Sequence, residues 1–225
     1  SLLDMADVVI VPSQTLLSLY RKNGMRNINI TLMPYGHEIE WAAQVHRTPS
    51  EVLRLGFLGN VIRSKGVHVL IEAFEILSDP KMELHIYGDE ALEPAYAKKL
   101  KRKNLPGITW HGRYQASELA EIFSNLDLLV FPSIWHENNP LVIQEAFAGG
   151  CPVVSSDMSG AAEFVEDHVN GRLFKTGDAE DLYGVLKEIV ESPEVLEGMR
   201  KNIRPVRRVE EDVHELQQVY QRLLE

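Results

Sequence analysis

Short blocks of contiguous apolar residues alternate along the chain with longer segments whose apolar positions recur every three or four residues. The first kind predicts buried strands and the second helices packed on one face. VVIVPS (8–13) is such a strand, QTLLSLYRKNG a helix ending near Gly24, and NITLMPYG a second strand closing on a turn. The polar, loosely patterned stretch from His37 to Glu51 reads as a linker. The rhythm then becomes regular. Strand LRLGFLG leads to helix KGVHVLIEAFEIL, with Val67, Leu70, Ile71, Phe74 and Leu77 on its apolar face. Strand MELHIYGD, helix EPAYAKKLKRK and the short strand ITWHGR follow, then helix ASELAEIFSNL and strand DLLVFPS. Helix PLVIQEAFAGG, strand CPVVSSD, a short edge strand GRLFKTGD and helix AEDLYGVLKEIVES come next. The tail from Val195 to Glu225 is helical with a break at Pro205. Its last helix is expected to pack Val213, Leu216, Val219, Tyr220 and Leu223, leaving its acids in solvent.

Strands this apolar, separated by helices, predict an α/β fold with a Rossmann-like parallel sheet and helices on both faces. Ligands of such sheets bind beyond the carboxyl ends of the strands. The loops after GFLG, HIYGD, WHGR, VFPS and VVSSD are therefore where chemistry is expected.

Composition narrows the partners. The 225 residues are 44% hydrophobic and 25% charged, as in an ordinary soluble globular protein. A net charge of −10 opposes general binding to nucleic acid or to an anionic membrane surface. No apolar run approaches the ~20 residues of a transmembrane helix, and the opening SLLDMADVVIVPSQ lacks signal-peptide features. A single cysteine, Cys151, excludes an internal disulfide and a multi-cysteine metal site; in GGCPVVSS it reads as a small core residue. A reducing, cytoplasmic setting is expected.

One helix carries an anomaly. In HENNPLVIQEAFAGG, Pro140 suits the first helical position and Asn139 the N-cap. The amides around Asn138, Asn139, Leu141 and Val142 would then form an anion-ready helix N-terminus at the end of strand LLVFPS. Glu145, leaning back toward that terminus, stands among Leu141, Val142, Ile143, Ala146, Phe147 and Ala148. A buried carboxylate needs donors or protonates, and sugar hydroxyls are suitable donors. Periodicity leaves two other readings open: Gln144 and Glu145 form a narrow wet stripe, or Glu145 binds only protein amides. The loop GFLGNVIRSKG supplies the complement, with Gly59 allowing close backbone approach and Lys65 and Arg63 offering positive charge at a helix opened by Lys65-Gly66. It matches neither a Walker loop nor GxGxxG.

Together these residues resemble the donor-binding C-terminal domain of retaining, nucleotide-sugar-dependent glycosyltransferases of the GT-B fold, the "group 1" (family four) clan. Glu137 and Glu145 meet its E-x7-E pattern, which continues into AFAGGCPVVSSDMSGAAEFV. GFLGNVIRSKGVHVLIEAF, HIYGD, WHGRY and VNGRLFKTGDAEDL match further blocks in order, from about Leu53 to Leu186. The resemblance implies transfer of a sugar from a UDP-sugar, or next a GDP-sugar, to a hydroxyl acceptor. It implies that Glu145 holds the ribose, that Glu137 with Asn138, Asn139, Pro140, Leu141 and Val142 addresses sugar and diphosphate, and that Lys65, aided by Arg63, neutralises the leaving diphosphate. Gly59 and Asn60 would line the same site, Arg113 and Tyr114 would meet the base, Gly88 and Asp89 would line the cleft, and His136 would touch the sugar. No cofactor and no divalent metal are expected, because fixed cations and a helix terminus replace the metal; Asp-x-Asp does not occur in the chain.

Two departures from the clan matter. Asn60 stands where many members have Arg. Residues 1–38 resemble only the last strand and helix of the N-terminal domain plus the hinge, followed by a linker at 39–51, the nucleotide-sugar domain at 52–194 and the helical tail at 195–225. The acceptor domain would lie in a longer protein or in a partner chain, without which this chain is expected to be inactive, and any peripheral membrane contact would lie there too. Strand Val8–Val11 would lack a sheet and seek another edge, such as one in a second copy. The alternatives are a non-catalytic nucleotide-sugar-binding subunit and, lower, another GT-B enzyme such as an epimerase or phosphorylase. His37, His68, His85, His111, His136 and His168 fall one per element, with no metal-binding spacing.

Overall fold

The computed structural model describes residues 5–25 and 29–225, and of Ser159 the backbone alone. Residues 1–4 and 26–28 of the first segment lie outside the described ones. Six strands form one parallel sheet: β3 (Leu53–Leu58), β4 (Met82–Tyr87), β5 (Ile108–Gly112), β6 (Leu128–Phe131), β7 (Val153–Ser156) and β8 (Gly171–Phe174). β1 (Val9–Val11) and β2 (Ile30–Leu32) form a separate parallel pair. The large sheet runs β5-β4-β3-β6-β7-β8, so the chain reverses its direction of build between β3 and β6. The edge position expected for GRLF is observed.

Helices cover both faces. On one side α2 (Val67–Leu77), α3 (Pro94–Lys101), α7 (Ala179–Glu191) and α8 (Val195–Lys201) bury Leu70, Ile71, Leu100, Leu186 and Leu196 against Leu55, Leu84 and Val130. On the other, α4 (Leu119–Ser124) and α5 (Leu141–Ala148), with the short α6 (Ser159–Ala162), set Ile122, Phe123, Ile143 and Phe147 on Leu129, Phe131 and Val153. Each fully buried large aliphatic side chain is worth about 1.5–3 kcal/mol relative to exposure, so these two clusters carry the fold. Cys151 is fully buried, as expected of a core residue.

Three expectations change. The stretch 39–51 is docked rather than a free linker: it contains a 3-10 helix at Glu40–Gln44, stacks Trp41 on Phe123 at 5.6 Å, and uses Arg47 to donate to the carbonyls of Leu126 (3.0 Å) and Gly149 (2.9 Å). One aromatic anchor and one arginine hold a segment whose average polarity reads as loose. β1 needs no second copy for an edge, because it pairs with β2 in register Val9↔Ile30. α1 (Gln14–Lys22), between them, is fastened to the large domain by Glu163, whose carboxylate accepts the amides of Gln14 (3.0 Å) and Thr15 (2.5 Å).

The third change concerns α9 (Val209–Leu224). Val219 is buried and Leu216 partly so, but Val213, Tyr220 and Leu223 are exposed. The helix is held at its start by polar contacts to the hinge instead. Arg208 pairs with Glu40 at 2.6 Å, Asp212 accepts the Gly36 amide at 3.3 Å, and the His37 amide donates to the Arg207 carbonyl at 3.0 Å. Among the described residues no helix is long and apolar enough to cross a membrane.

Candidate functional site

Where strand order reverses, the loops leaving neighbouring strands part and open a crevice. Here those are the loops after β3 and β6, and a cavity of about 380 Å³ lies between them. A cavity of about 440 Å³ occurs at the amino ends of the strands, beside Leu53, Lys81 and Asp127. Loops at that end carry none of the motifs singled out above.

The β3 loop is fixed by two glycines. Gly66 has φ +68°, and a Cβ there would lie 1.8 Å from the Pro132 carbonyl oxygen, so only glycine lets this loop press on the end of β6. A Cβ on Gly88 would lie 1.9 Å from the Gly59 carbonyl, so Gly88 packs the β3 and β4 loops together rather than lining the cavity. Lys65 closes a 3-10 turn at Arg63–Lys65, and α2 begins only at Val67, two residues after the expected start, because Gly66 takes the left-handed conformation. The Ile134 amide donates to the Ser64 carbonyl at 2.9 Å and ties the two loops to each other. Lys65 Nζ thereby reaches Glu137 Oε1 at 2.6 Å, and Ser133 Oγ donates to the same oxygen at 3.0 Å.

The α5 terminus sits one residue later than expected. Pro140, with ψ 103°, is the capping residue, Leu141 opens the helix, and no side chain caps it. The Pro140 carbonyl takes the Ile143 amide at 3.1 Å, which leaves the first-turn amides of Leu141 and Val142 without an intrahelical partner. Asn139 is therefore not a cap; its Oδ1 is buried without a hydrogen-bond partner among the described residues. Both Asn139 and Pro140 line the cavity, with Leu141 and Val142.

Glu145 lines the cavity half-buried, and burial pushes its carboxyl above the ordinary range. No donor among the described residues bonds it. Gln144 is buried, so the two do not form a wet stripe. Across the cavity, burial first and the Glu145 charge second push the Tyr114 phenol up to about 12.

Gly59 and Asn60 complete the predicted part of the lining. Six predicted residues stand outside it. Arg63 sets its guanidinium over the Tyr96 ring, 5.4 Å from the centroid, while Arg113 is exposed and lies 3.9 Å from Asp89. Gly88 is buried; His136 and Asn138 are exposed. Asp89 gives its carbonyl to the Val61 amide at 2.8 Å. The sequence reading missed Leu58 and Phe131, the last residues of β3 and β6, which supply apolar floor. Their signal was positional: each ends a strand at the reversal point. The histidines are not all scattered, since His85 Nδ1 and His111 Nε2 meet at 3.0 Å across β4 and β5. Among the described residues no three His, Cys, Asp or Glu side chains converge as a metal-binding group.

A family model described as glycosyl transferases group 1 matches residues 39–206. The chain belongs to that family. The amylovoran biosynthesis glycosyltransferase AmsK of Erwinia amylovora is 29% identical to this group 1 domain over 167 residues, covering 71% of the chain and 41% of that protein. The D-inositol 3-phosphate glycosyltransferase of Arthrobacter sp. (strain FB24) is 32% identical over 154 residues, or 64% of the chain and 36% of that protein. The sucrose-phosphate synthase of Thermosynechococcus elongatus shares the fold with a TM-score of 0.85 and 23% identity, over 99% of this chain and 59% of its own. Anabaena Alr3699/HepE, solved with UDP and glucose, gives 0.84 and 22%, over 96% and 63%. The fold is thus that of the GT-B glycosyltransferases. The group 1 domain spans 36–41% of the length of the first curated relatives it matches.

Proposed function

We propose that this chain is the donor-binding half of a retaining, metal-independent glycosyltransferase that moves a hexose from a nucleoside diphosphate sugar to a hydroxyl acceptor. One observation carries the reading. A single cavity at the strand reversal holds a cation, helix amides without intrahelical partners and two acceptors, Glu145 and Asn139 Oδ1, that have no donor among the described residues. Free amides and an ammonium want phosphate; a half-buried carboxylate and an orphaned carbonyl oxygen want hydroxyl donors. A nucleotide-sugar brings both in one molecule.

In this reading the diphosphate lies on the Leu141 and Val142 amides with Lys65 beside it, and the developing negative charge of the leaving group is met by groups already in place. Glu145 takes the ribose hydroxyls, Asn139 and Glu137 address the sugar, and the base lies against Tyr114. Attack comes from the face of the departing diphosphate, so the chain supplies no nucleophile. Alr3699/HepE holds UDP, which supports placing a UDP-sugar ahead of a GDP-sugar. The acceptor half lies in a longer protein or a partner chain, and this half alone is inactive.

Titration calorimetry with UDP, GDP and their glucose conjugates, in excess EDTA, tests the reading. Binding that survives chelation and is lost in Glu145→Ala is expected. Binding that requires magnesium, or that ignores Glu145, overturns the assignment.

A further inference from the structure

We infer that the Lys65–Glu137 ion pair makes this cleft select an intact nucleotide-sugar over the free nucleoside diphosphate, with Glu137 the residue that determines the preference. The inference rests on the nucleotide-sugar reading of the cavity and adds a rule of selection to it.

The pair is short and sheltered. Nζ and Oε1 are 2.6 Å apart, and the side chains are only 28% and 17% exposed. Ser133 Oγ, itself accepting the Trp135 amide at 3.3 Å, donates to the same carboxylate oxygen. The loops that carry the partners are laced together through Ile134 and Ser64. The cleft therefore keeps its ammonium already neutralised, and a phosphate ligand must compete for it.

The two ligands compete on unequal terms. A free nucleoside diphosphate that takes Lys65 leaves Glu137 with Ser133 as its remaining donor, partly out of water and next to two phosphate charges. Both features oppose binding, because stripping a sheltered carboxylate of its cation is costly and like charges are brought together. An intact donor exchanges both halves of the pair at once: its phosphates take the ammonium while the hydroxyls of its sugar donate to the freed carboxylate. After the sugar has been transferred only the first half of that exchange remains. Glu137 then reclaims Lys65, and the nucleoside diphosphate product is displaced.

The test compares UDP with UDP-glucose, and GDP with GDP-glucose, on the wild-type chain and on Glu137→Gln by titration calorimetry, with a thermal melt as the fold control. A bond to a charged group is worth about 1.5–3 kcal/mol, so the wild type is expected to prefer the intact sugar by about tenfold or more. Glu137→Gln frees Lys65, so it should bind the free diphosphate more tightly than wild type and lose the preference. If that variant shows no melting transition, Glu137→Asp carries the comparison, since its shorter reach loosens both the ammonium and the sugar contact and should lower the ratio. Equal affinities in the wild type, or a ratio unchanged by either substitution, overturn the selection while leaving the cavity a nucleotide-sugar site. Failure of all four nucleotides to bind the wild type overturns the reading of the cavity and the selection with it.

Discussion

The Tyr87 ring lies parallel to the His111 ring, centroids 4.0 Å apart and planes 6° apart, and meets Tyr114 edge-on at 6.4 Å. The wall of the cavity thus continues into the His85–His111 pair, in which one imidazole donates to the other at 3.0 Å and Glu83 stands 3.5 Å from His85 Nε2. Both rings cannot be protonated with that contact intact.

Acid should therefore loosen the fold. Burial first, then the neighbouring His85, holds His111 below its ordinary pKa; His37 and His68 are also lowered, chiefly by burial. A histidine whose folded pKa lies below its unfolded value near 6.5 takes up protons more readily when unfolded. Its contribution is complete above that pH and is lost as pH falls through the window down to the folded value. Glu145, raised by burial, acts with the opposite sign at lower pH. Melting temperature is expected to fall between pH 7.5 and pH 5, and less steeply in His111→Phe, which keeps the ring stack. A flat wild-type profile over that range would refute this account.

Removing the lone acid should separate stability from binding. Glu145 has no donor among the described residues and a half-buried charge, so Glu145→Gln is expected to raise the melting temperature while weakening UDP binding by about tenfold or more, the worth of a bond to a charged group. The same burial makes binding pH-dependent. Ribose hydroxyls need the ionised carboxylate, whose folded pKa is raised, so affinity should fall on acidification from a higher pH than an ordinary glutamate would set. Calorimetry in two buffers of different ionisation enthalpy would show proton release on binding. A destabilised Gln variant with unchanged affinity contradicts both parts.

What the sequence made legible follows from the range of the interactions involved. Strand and helix identity is encoded by neighbours within one or two turns, so periodicity found it; the apolar run around Glu145 is buried only in part, since Leu141 stands 50% exposed. The strand order, which brings the Lys65 loop beside the Glu137 loop, is a matter of packing; the sequence placed both at the carboxyl edge of the sheet, and the family resemblance assigned them to one ligand. Local rules failed where tertiary contacts overrode them. Asn139 has the composition of a cap, yet Pro140 takes that place. Arg63 lies in the cationic loop, yet Tyr96 on α3 draws its guanidinium away. The apolar stripe of α9 predicts packing, yet the helix is fastened by Arg208, Asp212 and the hinge, leaving Tyr220 and Leu223 exposed.

The direction taken by Arg63 gives Asn60 its consequence. Among the described residues Lys65 is the one cation in the cavity lining, and Asn60 stands exposed on the rim. Asn60→Arg adds a forked, permanently charged donor beside the proposed diphosphate. UDP affinity should rise by about tenfold, with a steeper loss on adding salt because the added attraction is partly screened. No gain, or a gain insensitive to salt, would place the diphosphate away from Asn60.

The N-terminal pair of strands offers a structural test. Three of the four free amides at the start of α1 are satisfied: Leu16 by its cap Ser13 at 3.2 Å, and Gln14 and Thr15 by Glu163. The Glu163 carboxylate also faces the positive end of the helix dipole, so its loss should cost about 1–2 kcal/mol at that junction. A two-stranded sheet is marginal by itself, so β1 and β2 depend on α1 staying seated. Glu163→Ala is expected to speed hydrogen exchange at the β-bonded amides near Val9, Val11 and Met33 while leaving the amides of β3, β6 and β7 protected. Acceleration spread evenly over both sheets would show instead that the two parts unfold as one, and that Glu163 stabilises the whole chain rather than the attachment of its first forty residues.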